Sequence, residues 1–112
     1  MSNNKSDIVD AILRSDIEAV QRALIEDVES INDMHTPSGF NAPMLAAYGG
    51  VRNILREILK EAHALDFSHK NSDGHDLMMV GMLSRSQEII DMIMSAYEVH
   101  APHIINNSPE PS

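Results

Sequence analysis

Apolar residues recur at three- and four-residue steps in six short blocks, separated by polar turns, and this spacing predicts six amphipathic helices. Ile8, Val9, Ile12 and Leu13 form the first stripe, with Ser6 as a candidate cap and Asp7 in the first turn, where the helix dipole favours an acid. Ser15-Asp16 breaks the pattern and offers a second cap. Ile17, Val20, Leu24 and Val28 then line a second helix, with Ala19 and Ala23 permitting close approach. Ile31 to Gly39 is rich in turn formers, and Pro37 disfavours helix at Thr36. A third helix is expected from Asn41, with Pro43 tolerated in its first turn and Gly49-Gly50 ending it. The fourth, Val51 to His63, buries Ile54, Leu55, Ile58 and Leu59 and keeps Arg52, Arg56, Lys60 and Glu61 wet. After a polar loop from Asp66 to Gly74, a fifth helix spans Asp76 to Leu83. A sixth spans Ser86 to Tyr97 and is buried through Ile89, Ile90, Ile93 and Met94. Met1 to Lys5 are expected to fray. Pro102, Asn106-Asn107, Pro109 and Pro111 argue against regular structure from Ala101 onward, with residues 106–112 a disordered tail.

The blocks repeat. Ser38 to Leu59 reads as Gly turn, short helix, Gly-Gly break and longer helix, and Asp73 to Met94 repeats that order. Gly39 aligns with Gly74, Met44 with Met79, Ile54 with Ile89 and Ile58 with Ile93, a period of 35 residues. No single helix pair can bury its apolar face alone, whereas three stacked pairs share a continuous core. The expected fold is therefore all-α, a helix-turn-helix solenoid of three units, about 6–33, 34–68 and 69–103, within one domain over 1–105. A generic six-helix bundle is the other architecture this pattern permits.

The spacing resembles the ankyrin repeat, whose pattern runs Gly-x-Thr-Pro-Leu-His-Leu-Ala-Ala, two variable residues, Gly-His, an Ile-Val pair and a Leu-Leu pair. Gly39, Leu45-Ala46-Ala47, Gly50, Ile54-Leu55 and Ile58-Leu59 match it in the second unit. In the first, Ala11-Ile12 and Ser15-Asp16-Ile17-Glu18-Ala19-Val20 resemble an N-terminal capping repeat. The third keeps Asp73-Gly74, Ile89-Ile90 and Ile93-Met94. The resemblance covers about Asp7 to Val99. Thr-Pro-Leu-His is replaced by Asn41-Ala42-Pro43-Met44 and by Asp76-Leu77-Met78-Met79, so methionine stands twice where the family histidine ties successive loops together. The period also exceeds the family's usual ~33 residues, which places the extra residues in the loops.

Composition narrows the function. The 112 residues contain no cysteine, which removes disulfides, thiolate metal sites and a cysteine nucleophile, and fits a reducing compartment. Eight Lys and Arg against 17 Asp and Glu give a formal net charge of −9. That opposes binding to nucleic acid and to anionic membranes; it favours solubility or a basic partner. There is no basic segment followed by a long apolar run at the N-terminus, and Leu77 to Leu83 is too short to span a bilayer. A soluble, cytoplasmic protein is expected, or one delivered into a host cell by an intracellular microbe.

Candidate chemistry is sparse. Asp73-Gly74-His75-Asp76 sets two carboxylates beside an imidazole, but at a position that reads as a turn and a helix start. His35, His69 and His103 recur every 34 residues, a spacing that spreads ligands along a stack and does not gather them on one ion. Neither an enzyme, a cofactor nor a metal site is expected. Met78, Met79, Met82, Met92 and Met94 crowd the last unit, where they suit either core filling or a permissive binding surface. A terminal unit needs a polar outer face or a cover. Val99 to Ile105, a partner, or a second copy of the chain are the candidates, so a monomer is expected, with a homodimer through this end as the alternative.

The ankyrin resemblance implies binding through loop tips and the exposed side of the short helices. The matching positions are Leu13, Arg14, Phe40, Tyr48, Gly49, His75, Leu83 and Ser84, with Met34, His35, Phe67 and Lys70 in the connecting loops. Of these, Phe40, Tyr48, His75, Leu83, Arg14, His35 and Lys70 form the expected partner-binding set, with local packing as the other reading of the two aromatics. The implied function is a non-catalytic module that binds another protein as adaptor, inhibitor or effector. The alternative is an acidic decoy that occupies a basic, nucleic-acid-binding surface.

Overall fold

A computed structural model describes residues 7–106. The fold is all-α, with one short hairpin. Helices α1 (Asp7–Leu13) and α2 (Ile17–Glu26) come first, followed by a 3-10 turn at Val28–Asn32. Strands β1 (Met34–His35) and β2 (Phe40–Asn41) pair antiparallel, with Met34 opposite Asn41 and His35 opposite Phe40. Helices α3 (Ala42–Tyr48) and α4 (Arg52–Leu59), a second 3-10 turn (Ala62–Ala64), α5 (Leu77–Leu83), α6 (Gln87–His100) and α7 (Pro102–Asn106) complete the order.

The backbone repeats at the sequence period. Asn41 caps α3 by accepting the Met44 N–H at 3.1 Å, and Asp76 caps α5 by accepting that of Met79 at 3.0 Å. Asp16 and Ser86 cap α2 and α6 in the same way, whereas Val51, the residue at their position before α4, has no side chain able to do so. The residue before each of these three is left-handed: Ser15 (φ 56°), Gly50 (φ 73°) and Arg85 (φ 61°). Only the middle one is glycine, so the outer two turns carry the steric cost of a Cβ there.

Packing joins the pairs into two rows. α1 packs on α2, α3 on α4 and α5 on α6; α3 lies between α1 and α5, and α4 between α2 and α6. The core is aliphatic. Ile8, Val20, Ile31, Met44, Ile54, Leu55, Ile58, Leu77, Val80, Ile89 and Ile93 are essentially inaccessible, as the apolar stripes require. Gly81 lets α6 approach α5 closely, since a Cβ there would sit 2.6 Å from Ile93 Cδ1.

Polar loops are stitched to each other despite the missing histidine of the resemblance. His69 Nε2 donates to the Gly39 carbonyl at 2.6 Å; the Ser72 N–H and hydroxyl both donate to the Ser38 carbonyl, at 3.0 and 2.6 Å. Asn32 bridges the two 3-10 turns, donating to Ala64 O and accepting from the Asp66 N–H, both at 2.8 Å. Gly39 sits where the loops meet, with φ 76° and a Cβ direction that points 2.8 Å from Ser72 N. A hydrogen-bonded Asx turn holds the Asp66 carboxyl below its usual range, because the Ser68 hydroxyl and then its N–H donate to it.

Three expectations need correction. α4 stops at Leu59, and Ala62–Ala64 is a separate 3-10 turn, so the helix does not continue to His63. The stretch after Ala101 is helical: Pro102, at the first position of α7, has no N–H to lose there. Phe67 is buried and not an exposed loop residue, because it packs edge-to-face on Tyr97 at 4.9 Å and stacks with His100. The expected fraying of residues 1–5, the Ser6 cap and the expected disorder of 107–112 lie outside the described residues.

Candidate interaction surface

Each first helix of a pair ends on an exposed apolar residue. Leu13 ends α1 (58% exposed), Tyr48 ends α3 (61%) and Leu83 ends α5 (53%). These positions are 35 residues apart on three consecutively packed helices, so they form a row with one member per pair. The position two residues earlier on every helix, Ala11, Ala46 or Gly81, is buried. Exposure therefore belongs to the position and not to the residue type.

Phe40 joins this row. β2 delivers its ring 5.3 Å from that of Tyr48, the two planes at 88°. An edge-to-face pair of this kind restrains the exposed tyrosine ring. Phe40 is half-buried against the core, so its ring packs locally, whereas Tyr48 is open.

The other expected residues are more scattered. Arg14 follows α1 directly, exposed, and pairs with Asp10 at 3.0 Å and Asp16 at 3.3 Å. His35 is half-buried in β1, with Nδ1 2.9 Å from the Ser38 hydroxyl, which itself donates to His35 O and accepts from the Phe40 N–H. This ring shapes the hairpin. The His75 N–H donates to Asn71 Oδ1 at 3.0 Å, alongside that of Asp73 at 2.9 Å. Lys70 is exposed in the loop before that turn. Asp76 is occupied as the α5 cap, so the Asp73-Gly74-His75-Asp76 stretch is built around backbone geometry. Among the described residues no three His, Asp or Glu side chains converge on a point able to hold a metal ion.

One feature of the opposite row was not anticipated. A groove of about 340 Å³ runs between α4 and α6, floored by Leu59, Met92, Ala96 and Val99 and edged by Arg56, Lys60 and His100. Its signal in the sequence is weak, because Leu59 and Met92 read as ordinary core positions, yet both are only half-buried. Lys60 and then Gln21, by hydrogen bonding to Glu57, hold that carboxyl below its usual range, which ties α4 to α2 on the far side. Arg52 and Arg56 clasp Glu88 of the next pair at 2.7 and 3.5 Å. These pairs are exposed, so they fix register more than they stabilise.

No family model matches this chain, and neither a curated protein nor a solved structure matches it. Among the described residues, no helix is long and apolar enough to cross a membrane.

Proposed function

We propose that this chain is a non-catalytic interaction module of three ankyrin-like repeats that binds another protein through the face carrying Leu13, Tyr48 and Leu83. The observation that supports this reading is the row itself. Three large apolar side chains are left open at the same position of successive pairs, and the central one is held by Phe40. Exposed apolar residues in register are costly in water and suit a partner's side chains. Tyrosine is also a common anchor residue at interfaces. The ankyrin-like reading rests on the 35-residue recurrence of caps, left-handed turns and paired helices, and on the loops bonded one to the next.

The test is capture from a cell lysate with immobilised protein, followed by mass spectrometry. Tyr48→Ala and Leu83→Ala should each lose the same captured protein, with helix content unchanged, while Ile25→Ala on the opposite row keeps it. Equal capture by all three variants would refute the assignment. An acidic decoy rests on the net charge of −9 alone. Capture that persists at high salt rules it out, because binding between opposite charges weakens as salt screens them.

A further inference from the structure

Aligning α1, α3 and α5 at 35-residue steps sorts their positions into columns with different neighbours. In one column pair, Val9 and Ile12 of α1 and Met44 and Ala47 of α3 are buried against the following pair. Their counterparts on α5 are Met79 and Met82, which are 46% and 53% exposed. On the second row, Val20 and Leu55 are buried, but their counterpart Ile90 is only half-buried, as is Met94 beside it. The outer side of α5 and α6 thus has the composition of a surface that receives another helix pair, and nothing in the described chain occupies it. α7 does not: it packs on α6 and meets Leu65, Phe67 and Ala101 at the other edge.

Charge decides what fits there. The seven residues of α5 carry no charge in a chain whose net charge is −9. The opposite end of the stack is different. The two columns that face the preceding pair hold buried Ala42, Leu77 and Val80 and half-buried Leu45 on α3 and α5, but Asp7 and Asp10 on α1. Head-to-tail stacking of copies would press Asp7, and Asp10 with its Arg14 partner, onto Met79 and Met82, taking charge out of water with no partner on α5. It would also bring Glu18, the counterpart of Glu88, against Gln87 and Asp91, where the internal boundary offers Arg52 and Arg56. Open-ended growth is therefore blocked by charge at both rows. A two-fold contact avoids both clashes, because it sets the uncharged face against itself. Its rim is self-complementary. Arg85 and Asp91 occupy the columns of Gly50 and Arg56, which border the recess that receives Glu88, and among the described residues Arg85 has no ion pair.

We infer that the face formed by Met79, Met82, Ile90 and Met94 is the interface of a closed, tail-to-tail dimer of this chain. Tyr48 and Leu13 lie on the earlier pairs and stay available, whereas Leu83, one turn after Met79, borders this surface.

The chain has no cysteine, so single cysteines report position cleanly. Sedimentation across a concentration series should show the mass rising to that of two chains and no further. The Met79→Lys/Met82→Lys variant should remain monomeric with the wild-type circular dichroism spectrum. Met79→Cys or Met82→Cys should form covalent dimers with a short bis-maleimide, while Ile25→Cys should not. A monomer at every concentration, growth beyond two chains, or cross-linking no faster at positions 79 and 82 than at position 25 would each overturn the inference. If the double lysine variant loses its helical signal, the cysteine comparison decides alone.

Discussion

At the scale of single residues, the tightest constraint falls on Gly39. Its φ of 76° is left-handed, and its missing Cβ leaves room for the backbone of Asn71 and Ser72. Backbone cannot rotate aside as a side-chain tip can, so Gly39→Ala should cost more than about 2 kcal/mol in a denaturation titration. Gly74 has a similar φ of 81° but open space around its Cβ direction, so the same change there should cost less. Tyr97 is a second case. Burial pushes its phenol up to about 12, and its oxygen accepts the Met78 N–H at 3.2 Å. The sign follows from where the proton is lost first. Above pH 10 the unfolded chain releases the proton and the folded chain keeps it, so stability falls as pH rises from 10 towards 12. At neutral pH, Tyr97→Phe should cost about 1–2 kcal/mol by leaving the Met78 N–H without this acceptor. The variant should also lose less stability than the wild type between pH 10 and 12. Parallel losses in that window would show that another group carries the effect.

At the scale of elements, the α5–α6 contact depends on a missing methyl group. An alanine at position 81 would meet Ile93 Cδ1 at 2.6 Å, and Ile93 is fully buried. Overpacking of this kind costs about 1–3 kcal/mol, while Ile93→Val removes the one atom in the way. Gly81→Ala should therefore destabilise the protein, and Gly81→Ala/Ile93→Val should recover about 1 kcal/mol relative to the sum of the single changes. Additive losses would mean that the two helices adjust by shifting apart. Helix boundaries follow equally local causes: Asp16, Asn41, Asp76 and Ser86 each satisfy one free N–H of a first turn. These starts were legible because a cap acts over three residues. α7 was not, because its formation depends on Ile104 and Ile105 packing back on the core.

At the scale of the whole molecule, burial is decided by what lies next in the stack. Met44 and Met79 share a residue type and a column, yet Met44 is inaccessible and Met79 is open, because α5 covers the first and no described element covers the second. The same rule separates the two ends: Asp7 and Asp10 close one, while uncharged α5 leaves the other apolar. It also separates two kinds of exposure. Leu13, Tyr48 and Leu83 are open in every pair and belong to the side of the stack, where the loss of capture in Tyr48→Ala is the expected readout. Met79 and Met82 are open only in the last pair and belong to its end. Phe40→Ala is a poorer probe than Tyr48→Ala, since Phe40 packs against the core and its removal should lower stability as well as capture.

The sequence by itself determined α1 to α6 in outline and their 35-residue recurrence, because stripes, caps and glycine turns act over distances of three to five residues along the chain. The ankyrin resemblance also implied an exposed side carrying Tyr48 and Leu83, and both are open. Only the tertiary structure decided which of the remaining apolar residues are covered. Phe67 is buried by Tyr97, thirty residues further on. The loops are tied by His69 and Ser72 and not by a histidine in the helix. The methionines of α5 are open because no described element packs on them. Each of these depends on a partner distant in the chain, and local spacing carries no record of where such a partner arrives.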